Sequence, residues 1–146
     1  MPNDLQIIKE LEGRFKDLGY KYKLDKVVEL YINFSFIVTD DLKLIGKLTS
    51  LQYLKLTFNK INQIEGLDKL TNLIVLDLEW NLITKIEGLD ALTGLEKLKL
   101  NDNQITQIEG LDRLTNLQEL WLSDNPIPKD QIIKFSKEKP KIVIYV

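Results

Sequence analysis

One sequence unit of 22 residues occurs three times in succession without a gap, and it constrains the fold more than any other feature of the chain. Its copies are residues 51–72, 73–94 and 95–116. In every copy leucine occupies positions 1, 4 and 6, asparagine position 9, isoleucine positions 11 and 14, and Glu-Gly-Leu-Asp positions 15 to 18. Such self-similarity at a fixed period is the signature of a repeat architecture. We therefore expect a stack of similar structural units.

Two atypical copies flank the regular ones. The upstream copy, residues 27–50, has 24 residues and carries Ser35 where the others have asparagine. The downstream copy, residues 117–128, is interrupted by Pro126 and Pro128. The chain is thus expected to contain five repeats, of which the first and last are irregular because they cap the array.

The start of each repeat has the pattern of a half-buried strand. The leucines at positions 4 and 6 enclose a variable residue, and this alternation places both leucines on one face of a strand. Strands from successive repeats would pair about 4.8 Å apart in a parallel sheet. A single repeat cannot bury its own apolar face, so the fold is expected to depend on contacts between neighbouring repeats.

This pattern resembles the leucine-rich-repeat family, in particular its 22-residue class, over residues 27–128. That class includes the leucine-rich-repeat regulatory subunit of protein phosphatase 1 and the bacterial internalins. The resemblance implies an α/β fold, a right-handed solenoid with a short parallel sheet on its concave side. It also implies binding of another protein, although members of the family share an architecture and not a ligand.

Asparagine occupies position 9 of four repeats, where the chain leaves the predicted strand. These residues are Asn59, Asn81, Asn103 and Asn125. Their side chains are expected to form hydrogen bonds with backbone groups that the turn leaves unpaired. Glycine occupies position 16 of the three regular repeats, as Gly66, Gly88 and Gly110. Either a positive φ or close packing would explain these glycines.

The N-terminal segment, residues 1–26, is predicted to form a helical cap. Its apolar residues recur at helical spacing: Leu5, Ile8, Leu11, Phe15 and Leu18. Asn3 or Asp4 is placed to cap the start of this helix, and Gly19 is placed to end it.

The C-terminal segment, residues 129–146, is predicted to form a helix-strand cap. An amphipathic helix begins at Pro128 and ends before Pro140. Its apolar residues are Ile132, Ile133 and Phe135. The apolar residues of 141–146 then predict a final strand.

Function is expected at the variable positions, because the repeated ones are committed to the core. Positions 3, 5, 7 and 8 should face the concave side. The aromatic residues at these positions are Tyr31, Phe34, Tyr53, Phe58, Trp80 and Trp121. Four acidic residues flank the C-terminal half of this stripe: Asp77, Glu79, Asp102 and Asp124. Exposed aromatic residues ringed by charge are typical of a partner-binding surface. The alternative is that the aromatic stripe packs along the sheet edge or against the N-terminal cap.

The composition narrows the classes of function. The chain contains no histidine and no cysteine, which removes the commonest general base, the commonest metal ligands and any disulfide. We therefore expect a protein that is not an enzyme and that holds no cofactor and no metal. Ladders of convex carboxylates, beginning at Glu65 and Asp68, are compatible with Ca²⁺, but a solvated surface neutralised by nearby lysines explains them more simply. A net charge of −2 disfavours nucleic acid and membrane surfaces as partners.

No apolar stretch is long enough to span a bilayer, and the first residues lack the pattern of a secretory signal. We expect a cytoplasmic monomer that binds another protein on its concave aromatic and acidic face. The alternative is a structural or designed repeat scaffold without a natural ligand. The similar middle repeats allow that alternative, while the dissimilar outward residues disfavour it.

Overall fold

A computed structural model describes residues 4–15, 18–23, 26–33 and 36–146. The helices found there are α1 (Asp4–Arg14), α2 (Thr39–Ile45) and α3 (Lys129–Glu138). The strands are β1 (Leu18–Lys23), β2 (Lys26–Ile32), β3 (Tyr53–Lys55), β4 (Val75–Asp77), β5 (Lys97–Lys99), β6 (Glu119–Trp121) and β7 (Val143–Tyr145). All of these strands belong to one sheet and lie in it in their sequence order.

The sheet is parallel from β2 to β7, and each repeat contributes one strand to it. Equivalent residues of successive repeats are directly paired. The middle row consists of Leu30, Leu54, Leu76, Leu98, Leu120 and Ile144. The predicted α/β solenoid with a parallel sheet is therefore confirmed. Only β1 runs antiparallel to its neighbour, β2, at the N-terminal end of the sheet.

The repeated apolar residues form one continuous core. In residues 51–72 and 73–94 every leucine and isoleucine of the repeat motif is buried. Ile108, in the following repeat, is only partly buried. Full burial of one such side chain contributes roughly 2 kcal/mol. Since each repeat covers the apolar side of the next, this stabilisation is shared between neighbours.

Asparagine side chains join neighbouring repeats inside this core. The Oδ1 of Asn81 accepts the N–H of Ile61 at 3.1 Å, and its Nδ2 donates to the carbonyl oxygen of Leu56 at 2.9 Å. The same Nδ2 lies 3.1 Å from the carbonyl oxygen of Leu78. Equivalent bonds to the preceding repeat are made by Asn59, Asn103 and Asn125. Each asparagine thus ties its own strand to the turn of the repeat before it.

Two causes together account for the glycines of the convex turn. Gly66, Gly88 and Gly110 have φ values of 74°, 68° and 69°. A Cβ added to Gly88 would also lie 2.2 Å from the carbonyl oxygen of Ile64 in the preceding repeat. Both explanations offered by the sequence, a positive φ and close packing, therefore hold.

The N-terminal cap is a helix followed by a strand, so the prediction of a helix reaching Leu18 is wrong. Helix α1 ends at Arg14, and Leu18 and Gly19 belong to β1. Strand β1 pairs with β2 along its whole length and covers the edge of the parallel sheet. This pairing outweighs the local helical spacing. The carboxylate of Asp4 accepts the N–H of Val27 at 2.8 Å and ties α1 to the start of β2.

The C-terminal cap has the predicted order of helix and strand. Helix α3 begins after Pro128 and buries Phe135, while Ile133 points to solvent. Strand β7 then adds to the sheet beside β6. The cap therefore extends the exposed face of the sheet by one more strand.

The helices are short, and α1 with 11 residues is the longest of them. Among the described residues there is no helix whose length and apolar character would let it cross a bilayer.

Candidate functional site

The residue at position 8 of each regular repeat has a left-handed backbone. Its φ is 57° at Phe58, 56° at Trp80 and 54° at Asp102, and the equivalent residue of the downstream copy, Asp124, has a φ of 56°. Hydrogen bonds between repeats hold this conformation, such as the one from the N–H of Phe58 to the carbonyl oxygen of Glu79 at 3.1 Å. A left-handed backbone is unfavourable for a residue with a Cβ, so the neighbouring repeats enforce it. The four side chains form a row at the end of the strands, which we call the edge column.

The first repeat contributes an exposed aromatic residue that was not among the predicted site residues. Phe34 lies outside the described residues. Phe36, which the structure describes, has a left-handed backbone with a φ of 58°. Its ring is 69% exposed and lines the same depression as Phe58 and Trp80. The irregular repeat thus adds an aromatic side chain beside the edge column from a position that the alignment did not indicate.

A groove of about 430 Å³ lies along the edge column, and we call it the aromatic groove. The rings of Phe58 and Trp80 stack in it with 5.1 Å between centroids and 11° between planes. The other lining residues are Phe36, Asn59, Lys60, Asn81, Leu82 and Asp102. Phe58 and Trp80 pack on each other, yet they remain 41% and 50% exposed. The stack therefore combines a contact within the protein with a large accessible apolar surface.

The charged side chains on the exposed face of the sheet are paired across strands. The Nζ of Lys55 lies 3.7 Å from Oδ2 of Asp77, and the Nζ of Lys97 lies 2.9 Å from Oε1 of Glu119. Asp77 is only 6% exposed. Its carboxylate therefore compensates Lys55 and offers little surface to a partner.

The aromatic residues of the sheet face lie in two separate places. Tyr31 and Tyr53 are exposed on β2 and β3. Trp121 lies at the far end, stacked on Tyr145 with 3.9 Å between centroids and 20° between planes. The Nζ of Lys99 lies over the Trp121 ring, 4.9 Å from its centroid. The predicted site residues therefore divide between the aromatic groove and the sheet face.

Carboxylates beside the groove have fewer positively charged partners than those on the sheet face. Burial raises the pKa of Glu79 and the charge of Asp77 raises it further, although Asn101 donates to Oε1 of Glu79 at 2.7 Å. Burial likewise raises the pKa of Asp102, with a smaller contribution from the neighbouring charge of Asp124. Within the described part of the chain, Asp102 and Asp124 form no ion pair. Negative charge is therefore concentrated at the C-terminal end of the groove.

The carboxylates at the two ends of the sheet have cationic neighbours instead. The Nζ of Lys21 donates to Glu29 at 2.9 Å, and this bond lowers the pKa of Glu29. The bond from Lys97 lowers the pKa of Glu119 in the same way. Glu29 and Glu119 are thus ion-paired, whereas the carboxylates of Asp102 and Asp124 at the groove are not paired with a described residue.

Sequence reasoning missed four residues of these surfaces: Phe36, Lys60, Leu82 and Tyr145. One signal was available for Leu82, which occupies position 10, where the neighbouring repeats have Lys60 and Gln104. An exposed leucine at an otherwise polar position indicates a local apolar surface. Tyr145 lies in a predicted strand, but its contact with Trp121 depends on a pairing register that the sequence does not specify.

The convex carboxylates do not form a metal site in the described residues, where no cluster of three or more acidic, histidine or cysteine side chains is arranged to hold an ion. Glu65 lies 2.8 Å from the Nζ of Lys43, and Asp112 lies 3.3 Å from the Nζ of Lys139. These pairs belong to a solvated charged surface.

Comparison with solved structures identifies the same architecture in proteins of several kinds. An internalin of Listeria monocytogenes is 23% identical, covers 72% of this chain and has a TM-score of 0.59. A leucine-rich-repeat protein of Leptospira interrogans is 28% identical, covers 82% and has a TM-score of 0.59. TLR13, solved in complex with a single-stranded RNA, is 23% identical, covers 90% and has a TM-score of 0.69. This chain spans 37%, 37% and 23% of the length of those chains.

No match is found among curated protein sequences. The family profile described as "Leucine Rich repeats (2 copies)" matches residues 49–91, 71–113 and 93–134, which together exceed half of the chain. Proteins of this family generally mediate protein–protein interactions and are typically non-catalytic. The chain belongs to the leucine-rich-repeat family.

Proposed function

We propose that this protein is a non-catalytic module that binds a partner protein through its aromatic groove and the adjoining concave face of the sheet. The observation that carries the proposal is the stacked pair of Phe58 and Trp80, which stays about half exposed beside an open groove. Tryptophan and other aromatic residues surrounded by polar groups are the usual anchors of protein interfaces.

The rigidity of the groove supports binding. Backbone hydrogen bonds from Trp80 to Asn101 and from Asn59 to Trp80, at 3.1 and 3.2 Å, fix the edge column from both sides. A surface that is already ordered loses little conformational freedom when a partner docks, and more of the contact energy appears as affinity. Phe36 and Leu82 widen the apolar area around the stack.

The charges favour a protein partner over a nucleic acid. Asp102 lines the aromatic groove, Asp124 follows it in the edge column, and Glu79 lies beside them. A phosphate backbone would meet this negative charge unfavourably. TLR13 was solved with RNA, but the uncompensated carboxylates of the present groove select for a partner with basic groups.

Protein capture with matched variants tests the proposal. The immobilised chain and its variants would be incubated with lysate of the source organism, and retained proteins would be quantified by mass spectrometry. A partner held by wild-type protein should be lost with Phe58→Ala/Trp80→Ala and kept with Glu87→Ala/Asp90→Ala, which alters exposed convex residues. Circular dichroism and urea unfolding would check that each variant is folded.

Undiminished capture by the folded Phe58→Ala/Trp80→Ala protein would contradict the groove as the binding surface. If the double variant does not fold, Trp80→Lys serves in its place, because the long side chain keeps a methylene stem over Phe58 while the ring is lost. The convex variant separates a specific loss from a general effect of surface charge.

A further inference from the structure

The stack of aromatic rings along the edge column ends at Trp80. Its ring lies 5.1 Å from that of Phe58 and nearly parallel to it, a distance close to the roughly 4.8 Å spacing of neighbouring strands. The stack therefore runs in the direction in which the repeats succeed one another. The next member of the edge column is Asp102, which lines the same groove. The residue that follows Trp80 in the edge column is thus a carboxylate and not another aromatic ring.

Two other accessible aromatic rings of this protein carry a cation from the chain itself. The Nζ of Lys60 lies over the Phe36 ring, 4.6 Å from its centroid, and the Nζ of Lys99 lies over Trp121. In the portion of the chain that the structure describes, no lysine or arginine lies over Trp80 in this way. Tryptophan is the aromatic residue that attracts cations most strongly, so this indole is a strong candidate for an external cation.

The carboxylates beside this indole also favour a cation. Asp102 and Asp124 are adjacent in the edge column, and neither is ion-paired with a described residue. Burial, and then the charge of Asp124, raise the pKa of Asp102. A positive group between the Trp80 face and Asp102 would meet an aromatic surface on one side and a carboxylate on the other. Both contacts lie in a partly desolvated groove, where electrostatic interactions are stronger than in bulk water.

We propose that the groove binds an arginine side chain of the partner protein, with the guanidinium stacked on Trp80 and hydrogen-bonded to Asp102. Arginine fits better than lysine because its planar group can stack on a ring while its edge donates two hydrogen bonds to a carboxylate. An apolar residue next to the arginine would contact the exposed surfaces of Phe36 and Leu82. The inference rests on the proposed function and names the chemistry of its partner.

NMR titration with short peptides tests this inference directly. The probes are acetylated, amidated Ser-Leu-Arg-Leu-Ser and the same peptide with lysine or citrulline in place of arginine. The chain contains two tryptophans, so the Trp121→Phe variant assigns the indole N–H signal of Trp80. We expect the arginine peptide to shift this signal saturably. The citrulline peptide should bind at least about tenfold more weakly, because it keeps the shape and loses the charge, and the lysine peptide should lie between them.

The matched protein variants are Asp102→Asn and Glu87→Gln. Asparagine tolerates the left-handed backbone of position 102, so the first variant removes the charge with little effect on the fold. It should weaken binding of the arginine peptide by about tenfold or more. Glu87→Gln, which also replaces a carboxylate with an amide but on the convex side, should have no effect. Equal affinities for the arginine and citrulline peptides, or unchanged affinity in Asp102→Asn, would overturn the inference.

The outcome is separable from that of the proposed function. If the arginine peptide fails to bind but Trp80 is still required for capture of a protein, the groove recognises another side chain and only the arginine site is wrong. If the peptide binds as expected but no captured protein depends on Trp80, the arginine site stands and the proposed interface fails.

Discussion

Asn81 illustrates how one side chain stabilises two repeats. It is buried, and each of its polar atoms has a backbone partner: Oδ1 bonds Ile61, and Nδ2 bonds Leu56 and Leu78. Removing the amide would leave these buried backbone groups without partners and would open a small cavity. The left-handed residue before each such asparagine, Trp80 in this repeat, is held in place by the same turn.

Asn81→Ala is predicted to lower the free energy of unfolding by roughly 2 kcal/mol or more, because buried backbone groups lose their hydrogen bonds. Urea unfolding followed by circular dichroism measures the change. Asn72→Ala is the matched control, since the Nδ2 of Asn72 donates to the carbonyl oxygen of Thr49 at 3.0 Å on the exposed surface. Its effect should stay within about 0.5 kcal/mol. Equal losses in the two variants would show that the buried bonds are not what matters.

Glu79 provides a second prediction at the residue scale. Burial and then the charge of Asp77 raise the pKa of Glu79 above its ordinary value of 4.5. Folding therefore favours the protonated form of Glu79 more than the unfolded state does. The ionised form therefore costs stability at neutral pH, and this cost disappears as the pH falls through the raised pKa toward 4.5. Glu79→Gln should stabilise the protein near neutral pH, because glutamine imitates the protonated acid and can still accept the bond from Asn101.

The measurement is the difference in unfolding free energy between Glu79→Gln and wild type across this pH range. It should be positive at neutral pH, at most about 1 kcal/mol for a partly exposed group, and should shrink as the solution is acidified. Glu87→Gln, on the exposed convex side, is the matched change that removes a carboxylate away from the groove. A pH-independent difference at Glu79 would contradict the assignment of its pKa.

The residue scale also marks the limit of sequence-based prediction. The regular spacing of the repeats located Phe58 and Trp80 at equivalent positions, and the structure stacks their rings. The same spacing assigned Phe34 to position 8 of the irregular repeat, a residue that lies outside the described ones. Phe36 lies at position 10, because the N–H of Ile37 bonds Asn59 as that of Ile61 bonds Asn81. The strand pattern indicated outward side chains only up to position 8, and it gave no indication that the residue at position 10 would line the groove.

At the scale of elements, the convex turn sets how closely the repeats approach each other. Gly88 has a φ of 68° and lies against the carbonyl group of Ile64 in the repeat before it. A methyl group at Gly88 would lie 2.2 Å from that oxygen, and the rigid backbone of the neighbouring repeat cannot move aside cheaply. The spacing between repeats therefore depends on the absence of a side chain here.

Gly88→Ala is predicted to destabilise the protein by at least about 2 kcal/mol, from backbone strain together with the displaced neighbour. Gly94→Ala is its control, because the added Cβ would lie 3.6 Å from the carbonyl oxygen of Thr71, an ordinary contact. That change should alter the free energy of unfolding by less than about 1 kcal/mol. Urea unfolding of the two variants measures both changes. A similar loss of stability in both would refute the role of close packing at Gly88.

The elements also differ in how well their sequences predict them. Helix α3 and strand β7 follow from proline positions and local patterns, and their order was predicted correctly. Strand β1 was not, because the apolar spacing that continues through Leu18 is compatible with a helix. Its formation depends on antiparallel pairing with β2, the next strand along the chain. The alternation of tyrosine and lysine in residues 20–23 is a strand pattern, but the helical spacing was given more weight. The repeat pattern predicts the strands within the array, whereas helical spacing alone did not predict the strand that covers its N-terminal end.

At the scale of the whole molecule, the middle of the array is translationally regular. The regular repeats contact one another through the same leucine, asparagine and glycine positions. Stability is then a sum of repeat and interface contributions. Because the aromatic groove spans consecutive repeats, its geometry depends on their number and order as well as on its own residues.

Removing residues 73–94, one complete repeat, is predicted to leave a folded protein, because positions of the same type meet again across the junction. Asn103 would take over the bonds that Asn81 now makes to Ile61 and Leu56.

Removing residues 73–83, half a repeat, should abolish cooperative unfolding, since strands and convex turns would fall out of phase. Circular dichroism and urea unfolding measure both deletions. The in-phase deletion should keep the spectrum with a lower midpoint and a smaller dependence on urea, because less surface is buried. If both deletions unfold the protein alike, the middle repeats are not interchangeable units, and the groove is formed by a fold that requires all of them.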